Sequence, residues 1–168
     1  MPDGPGLELL RGEIDVDAPG AVLATSFEKE RAVLIVDPAR VLDVLGWLRD
    51  TPGQGYRFLS SLHVADYLPA EPRFGVHYEL LNRERVERIR VKAMLAGTSP
   101  EIASCTELFP TANFQEREAF DFFGVVFAGH PELTRILLPE DYVGWPQRRD
   151  FPVGGEPVTF TYSEKRYG

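Results

Sequence analysis

Three acidic side chains on a short aromatic stretch, Glu116, Glu118 and Asp121, are the residues whose types and spacing could do chemistry. On a helix that advances about 100° per residue, Glu118 falls between Phe114 and Phe122 on one ridge, so we expect it to be desolvated. Burial raises the pKa of a carboxyl group toward neutrality, and such a group can act as a general acid or base. The stretch is therefore a candidate acid–base centre.

The alternative role of these acids is structural, because a buried carboxylate has to be paired, hydrogen-bonded or protonated. The segment that follows brings three arginines, Arg135, Arg148 and Arg149, which we expect to neutralise the acids. Arg117 and Asp121 stand four residues apart and predict an ordinary helix ion pair. Apolar residues on most faces predict a helix that is buried nearly all round. We favour the structural interpretation, since ion-pair networks perturb pKa values as active sites do.

His130 and Cys105 are the other candidates for chemistry. His130 precedes a proline and so lies in extended backbone, where it could carry a proton or sense pH. We favour a histidine satisfied by hydrogen bonds within its loop, and we interpret Cys105 as a small core residue. A single cysteine excludes an intrachain disulfide, and also a thiolate zinc or iron–sulfur site held by this chain alone. The chain has no nucleotide-binding, hydrolase or zinc-protease motif, and we expect no catalytic, cofactor-binding or metal-binding residues on it.

The composition is that of an ordinary globular protein of 168 residues, 43% hydrophobic and 26% charged. The net charge of −8 argues against a nucleic-acid binder, which needs a basic face to neutralise phosphates. No apolar run approaches the ~20 residues that span a bilayer, and the acidic start of the chain is not typical of a signal peptide. We therefore expect a soluble protein on the cytosolic side of the membrane.

The elements that must position the candidate residues begin with a strand–helix unit. Ala32–Val36 is a continuous apolar run that predicts a central strand. Asp37 then caps a helix with proline at its first position, and the helix ends at Thr51. A second strand is predicted around Tyr56–Ser60, followed by a turn within His63–Tyr67.

An antiparallel hairpin comes next. Phe74–Leu80 alternates apolar and polar residues as a half-exposed strand does, residues 82–84 form the turn, and Ile89–Leu95 returns. The returning strand carries a basic stripe on its outer side, made of Arg88, Arg90 and Lys92. The stripe is either a solvated face or a patch for an acidic partner. A proline-containing turn then caps the helix that carries the acids.

The two ends of the chain lack regular patterns. We expect residues 1–30 to begin as a frayed end that joins the domain near Val22. The periodicity is lost again after Gly124, where glycine and proline punctuate the sequence. We predict an α+β domain over residues 1–138, with a mixed or antiparallel sheet and packed helices, and an extended, irregular C-terminal arm over residues 139–168. The aromatic and arginine content of the arm is typical of interface anchors, so we expect it to wrap a partner.

Phe109 to Pro152 resembles the thirty-kilodalton (C) subunit of bacterial NADH:quinone oxidoreductase (respiratory complex I), whose cyanobacterial and plastid counterpart is the J subunit. The matching motifs are Glu116-Arg117-Glu118 with Asp121 and Gly124, then Gly129-His130-Pro131 with Leu133 and Arg135-Ile136-Leu137, then Pro139-Glu140-Asp141 with Gly144, Pro146, Arg148 and Asp150-Phe151-Pro152. The family commonly has His-Pro-Leu-Arg-Lys-Asp where this chain has Trp145-Pro146-Gln147-Arg148-Arg149-Asp150. The departure at Trp145 and Gln147 leaves room for a changed partner contact.

The resemblance implies a non-catalytic scaffold subunit of the peripheral arm of a proton-translocating, membrane-attached complex. Its expected partner is the forty-nine-kilodalton (D) subunit, with the B and I subunits nearby, in the module that links the iron–sulfur chain to the quinone site. FMN and iron–sulfur clusters are expected on partner subunits, and membrane attachment only through the complex, at the cytoplasmic face of the inner membrane. The alternatives are the equivalent subunit of a related membrane-bound hydrogenase or ferredoxin-driven oxidoreductase, and a stand-alone acid–base enzyme. The residues expected to serve structure or the interface are Glu116, Arg117, Glu118, Asp121, His130, Arg135, Trp145, Arg148, Arg149 and Asp150.

Overall fold

A computed structural model of the chain describes residues 4–28 and 31–152. In chain order, its elements are α1 (Gly4–Asp17), β1 (Val22–Glu28), β2 (Arg31–Val36), a short 3-10 helix (Pro38–Arg40), α2 (Val41–Asp50), β3 (Phe58–Asp66), β4 (Phe74–Asn82), β5 (Glu87–Leu95), β6 (Glu101–Ala103), α3 (Ala112–Phe123) and β7 (Val126–Ala128). No helix among the described residues is long and apolar enough to cross a bilayer.

The main sheet has five strands in the order β1-β2-β5-β4-β3. Its neighbours are antiparallel except β2 and β5, which run parallel. A second, two-stranded parallel sheet joins β6 to β7. The α+β class with a mixed sheet is therefore confirmed. The apolar run at Ala32–Val36 is an interior strand as predicted, although β5 occupies the middle of the sheet.

One face of the five-stranded sheet carries the core. Alternate strand residues such as Leu34, Tyr78 and Val91 form one buried cluster there with apolar residues of α1, α2 and α3. Asp37 acts as a helix cap as predicted, because its Oδ1 accepts a hydrogen bond from the amide of Ala39 at 3.0 Å. The first turn that it caps is the 3-10 helix, however, and α2 itself begins at Val41.

Two predicted irregular regions are regular, and those predictions were wrong. Residues 4–17 are not frayed but form α1, in which Leu7, Leu10 and Ile14 make a buried helical stripe. The segment after Ser60 is not a turn but the second half of β3, where His63 pairs with His77 of β4. In both places a tertiary partner, which local composition does not reveal, fixes the backbone.

The strand β4 is buried on both faces rather than half-exposed as predicted. Its core-facing residues include Phe74 and Tyr78. On its other face, the ring of His77 stacks on His63 with centroids 5.0 Å apart, and the Tyr67 hydroxyl lies 3.1 Å from His77 Nε2. These rings, contributed by β3 and the residue that follows it, remove the polar face of β4 from water.

The contribution of α1 to the core can be measured. Ile14→Ala should lower the free energy of unfolding by about 2–5 kcal/mol, because it leaves a cavity at a fully buried position. Val16→Ala on the same helix is the matched control, since Val16 is 78% exposed, and it should cost less than ~0.5 kcal/mol. Urea unfolding of the full chain followed by circular dichroism measures both. Equal effects of the two substitutions would contradict the packing of α1.

Candidate functional site

The helix α3 ends at a glycine, Gly124, against which a later segment of the chain packs closely. Gly124 follows its last residue with φ 68°, and the Gly124 amide donates to the carbonyl of Phe120 at 2.8 Å. A Cβ at this position would lie 2.5 Å from the Trp145 ring. Glycine therefore meets two requirements here, the left-handed backbone and the close approach of an aromatic ring from a later segment.

Glu116 is fully buried, as a carboxylate in an apolar setting was expected to be. Its oxygens accept hydrogen bonds from Ser104 Oγ at 2.6 Å and from the Cys105 amide at 2.8 Å. These bonds attach the loop after β6 to the middle of α3. No arginine pairs with this carboxylate in the described part of the chain, so its partners are neutral donors rather than the predicted cations.

Asp121 is the second fully buried acid, and it organises the segment of residues 129–152, here called the return segment. Arg135 Nη1 donates to its Oδ1 at 2.8 Å. The consecutive amides of Ile136, Leu137 and Leu138 donate to its Oδ2 at 3.0, 2.8 and 2.9 Å. Burial raises the pKa of this carboxyl group, but the Leu138 amide, the Arg135 guanidinium and the other two amides outweigh it, so the pKa lies below its usual value.

Arg135 completes this junction. Besides Asp121, its guanidinium donates to the carbonyls of Tyr142 at 3.0 Å and Gly144 at 3.1 Å. The same guanidinium lies 4.7 Å from the centre of the Trp145 ring. The predicted neutralisation of a helix acid by Arg135 is confirmed. One side chain thereby connects the helix with two turns of the return segment.

The prediction that Glu118 is desolvated was wrong, because its side chain is exposed. The buried side of α3 is formed by Ala112, Glu116 and Ala119, and Phe114 on the opposite side is 65% exposed. The helix is therefore not buried all round. Small residues, rather than phenylalanine, mark the inner side of this helix.

The predicted pair between Arg117 and Asp121 is also wrong. Arg117 donates to the Thr134 carbonyl at 3.1 Å and to the Arg135 carbonyl at 3.0 Å. Asp121 is occupied instead by Arg135 and by the amides of residues 136–138. These long-range contacts cannot be read from the i, i+4 spacing.

Arg148 and Arg149 do not pair with the acids of α3, which corrects another expectation. Arg148 Nε donates to the Phe123 carbonyl at 2.7 Å, and its guanidinium lies over the Phe74 ring at 5.0 Å. Arg149 Nη1 donates to the Leu68 carbonyl at 2.6 Å. Both arginines donate hydrogen bonds to backbone carbonyl groups instead of forming ion pairs with the acids of α3.

A second charged junction was missed in the sequence. Arg73, just before β4, lies 2.7 Å from Asp66 and 2.7 Å from Asp150 of the return segment. The Arg73 guanidinium holds the pKa of Asp66 well below its usual range, and it lowers the pKa of Asp150 as well. The hairpin register, which pairs Asp66 with Phe74, was the signal that could have found it.

The predictions for His130 and Cys105 are confirmed. The Glu132 amide donates to His130 Nδ1 at 3.0 Å within the loop, and His130 Nε2 lies 3.1 Å from the carbonyl of Asn113 in the first turn of α3, so both ring nitrogens have partners. Cys105 is fully buried, and burial raises the pKa of its thiol, with Glu116 nearby adding to the rise.

The return segment up to Pro152 packs against its own domain through these two junctions. Trp145 lies edge-on to Phe120 with centroids 5.3 Å apart. This differs from the expectation of an arm that extends away to wrap a partner. The predicted arm also includes residues 153–168, which lie outside the described residues, and the division of the chain at residue 138 stays a prediction.

The buried carboxylates of this region are occupied by amides, a hydroxyl and guanidinium groups, which suits them to fixing a shape. No group of three or more His, Cys, Asp or Glu side chains that could hold a metal ion occurs within residues 4–28 and 31–152. The fold and the site thus define a class of α+β protein in which a helix and an irregular return segment are joined into one fixed surface.

The chain belongs to the family described as respiratory-chain NADH dehydrogenase, 30 kDa subunit, whose sequence model matches residues 34–157. The NADH-quinone oxidoreductase C subunit of Roseiflexus castenholzii is 47% identical over 148 residues, which are 88% of this chain and 85% of that protein. The protein of the same name from Saccharopolyspora erythraea is 39% identical over 145 residues, 86% of this chain and 58% of that protein.

A solved structure gives the same result. The trypsin-resistant fragment (1-134) of Nqo5 superimposes with a TM-score of 0.62 at 27% sequence identity, and the match covers 76% of this chain and 98% of the fragment. The resemblance noted in the sequence is therefore confirmed. The chain is a thirty-kilodalton subunit of NADH-quinone oxidoreductase, the multi-subunit complex I.

Removing the charge of Asp121 tests the first junction. Asp121→Asn should lower the free energy of unfolding by about 3–5 kcal/mol, because it breaks a buried pair and replaces an oxygen acceptor by a donor. The control is Asp141→Asn, an exposed acid of the return segment, which should change stability by less than ~0.5 kcal/mol. Urea unfolding at pH 7 measures both, and a stable Asp121→Asn chain would contradict the role of the carboxylate.

The second junction predicts a loss of stability in acid. The pKa of Asp66 is lower in the folded chain than in the unfolded chain, so this group stabilises the fold above its unfolded pKa of about 4 and loses that effect as pH falls. The free energy of unfolding should therefore fall on acidification below about pH 4, and less steeply in Asp66→Asn. Urea unfolding between pH 7 and pH 2.5 checks this; identical slopes in both proteins would exclude Asp66 as a source.

Proposed function

We propose that this chain is a non-catalytic scaffold subunit in the peripheral arm of a proton-translocating NADH:quinone oxidoreductase. Its task is to pack against the forty-nine-kilodalton subunit, near the B and I subunits, in the module that links the iron–sulfur chain to the quinone site. The chain is held at the cytoplasmic face of the membrane through the complex. FMN and the iron–sulfur clusters are carried by partner subunits.

The observation that carries this proposal is an exposed apolar surface on a fixed backbone. We call it the apolar docking face, and it consists of Phe114, Ile136, Leu137 and Val143, which are 65%, 36%, 62% and 88% exposed. All four lie on α3 or on the return segment that Asp121 joins to it, and large exposed apolar side chains brought together in this way are typical of protein interfaces.

The backbone beneath this face is already ordered. Asp121 accepts hydrogen bonds from the amides of Ile136 and Leu137, so the backbone that carries these two side chains is already fixed. Arg135 holds the carbonyl of Tyr142, next to Val143. A surface that is rigid before association loses little conformational entropy on binding, which raises affinity.

The use of the buried acids favours a scaffold over a stand-alone acid–base enzyme. Glu116 and Asp121 face donors within the chain, and each oxygen of these carboxylates has at least one hydrogen bond. A general acid or base needs to reach a substrate proton. Glu118 is exposed to water rather than held in an apolar pocket.

The expectation that cofactors reside on partner subunits rests on the ligands this chain offers. An iron–sulfur cluster takes about four thiolates, and the sequence has the single buried Cys105. The relatives named above are subunits of NADH-quinone oxidoreductase, which favours that complex over a membrane-bound hydrogenase or a ferredoxin-driven oxidoreductase.

Leu137→Asp tests the docking face. The substitution should leave the fold intact, because the side chain is exposed, but weaken binding to the forty-nine-kilodalton subunit by more than tenfold, since it places a charge at the centre of an apolar interface. Val16→Asp is the matched control, with the same introduced charge on a similarly exposed side chain of α1. Binding is measured by co-purification with the tagged forty-nine-kilodalton subunit and by titration of the purified pair.

The result is read together with the melting temperature of each variant. A folded Leu137→Asp chain that binds the forty-nine-kilodalton subunit as tightly as Val16→Asp does would overturn the proposed packing. Equal loss of binding in both variants would also count against the proposal, because the effect of the charge would then not be specific to the apolar docking face.

A further inference from the structure

The five-stranded sheet has a second face that the helices do not cover. Residues directly opposite each other on paired strands share a face, so the register places Val33, Arg90 and Glu79 side by side, with Ile35 and Lys92 one step along. Their neighbours in sequence point to the core. We call this second side the open face, defined by Val33, Ile35, Glu79, Arg88, Arg90 and Lys92.

The open face is apolar beneath its charges. Val33 is only 9% exposed, yet it does not belong to the core cluster that α1 and α2 cover. Ile35 and Met94 on the same side are half-buried. On a sheet whose second face is in contact only with water, the residues that point to that face are usually polar. Aliphatic side chains interleaved with long cations resemble a binding surface more than a solvated one.

The charges of this face are not balanced within the described residues. Arg90 is paired with Glu79, which leaves that pair neutral. Arg88 is exposed and has no carboxylate partner in the described part of the chain, and Lys92 Nζ lies 4.4 Å over the Tyr67 ring rather than on an acid. Burial lowers the pKa of both His63 and His77, which favours their neutral forms.

Arg88 and Lys92 are four residues apart on β5, which puts their Cα atoms about 13 Å apart on the same side of the strand. Their positive charges stand out on a chain with a net charge of −8. Salt screens charges beyond about 8–10 Å, so a partner that meets only this patch experiences attraction. A polynucleotide or an anionic membrane is larger than the patch, so it would also meet the acidic remainder of the chain and be repelled by it.

We propose that the open face is a second docking surface, and that it takes an acidic segment of another subunit of the complex. That segment carries carboxylates about 13 Å apart, one for Arg88 and one for Lys92, with apolar side chains between them that cover Val33 and Ile35. This goes beyond the proposed packing on the forty-nine-kilodalton subunit, which uses the apolar docking face, and it rests only on the chain working inside the complex.

Lys92 makes the proposal directly testable, because the sequence has three lysines and the other two are Lys29 and Lys165. The purified intact complex is treated with a carbodiimide, which joins a lysine amine to a carboxylate in contact with it, and the products are identified by mass spectrometry. We expect the Lys92 peptide joined to an aspartate or glutamate of another subunit. In the same complex, Lys92 should react with an amine-acetylating reagent at least tenfold more slowly than in the free chain.

Charge reversal gives the matched comparison. In complexes carrying Arg88→Glu, the yield of the Lys92 cross-link should fall at least tenfold, because a like charge is placed beside the partner's carboxylates. Arg11→Glu makes the same change on an exposed arginine of α1, on the other side of the sheet, and should leave the yield unchanged. Equal yields in the two variants would overturn the proposal.

Three further outcomes also overturn it. A cross-link from Lys92 only to Glu156 or Glu164 would mean that residues 153–168 of this chain occupy the face. Acetylation of Lys92 that is slow in membranes and fast in the lipid-free complex would assign the face to lipid. Absence of any cross-link, whether Lys92 is protected or not, would show that no carboxylate of a partner lies there.

Discussion

The Asp121 carboxylate is the interaction on which the rest of this region depends. It is fully buried, and it takes one guanidinium and three consecutive amides from the return segment. A carboxylate in an apolar interior is tolerated only where such donors surround it, and those donors in turn need a backbone held in one conformation. The Asp121 carboxylate therefore fixes the backbone conformation of residues 135–138, a stretch that is neither helix nor strand. Through Arg135 the same junction extends to the carbonyls of Tyr142 and Gly144.

Glu116 is also fully buried, but its hydrogen-bond donors are neutral groups. Ser104 and the Cys105 amide satisfy its oxygens, so the loop after β6 is tied to α3 as the return segment is. The two acids stand five residues apart and lie on different sides of the helix, which lets α3 hold one segment on each side. Two acidic residues of one short helix thereby supply, through hydrogen bonds, the attachment that irregular segments cannot obtain from apolar packing.

The sequence was sufficient for the fold class, for the strand–helix unit around Asp37 and for the Asp121–Arg135 pair. The sequence is misleading at Glu118. Phe114 and Phe122, which flank it on one ridge of the helix, predict a buried position, but Phe114 is exposed. The sequence could not place Arg148 and Arg149, whose partners are carbonyl groups at distant turns. Local periodicity reports which side of a helix is apolar, but an apolar side is not the inner side in a subunit that keeps part of its apolar surface for a neighbour. Errors of this kind therefore fall where an interface is expected.

The charges of α3 and the return segment are largely satisfied within the chain, and this shapes how such a surface associates. Arg117, Arg135 and Arg148 direct their donors to carbonyl or carboxyl groups of the chain itself. A partner that meets the apolar docking face then has no need to strip water from these cations, so the cost of desolvating charge falls away from that interface. The open face differs, since Arg88 and Lys92 have no carboxylate partner among the described residues and would attract a complementary charge. Under the two proposals, one face would associate by burying apolar area and the other by matching charge, so that a single small domain would hold two neighbours by interactions that respond oppositely to salt.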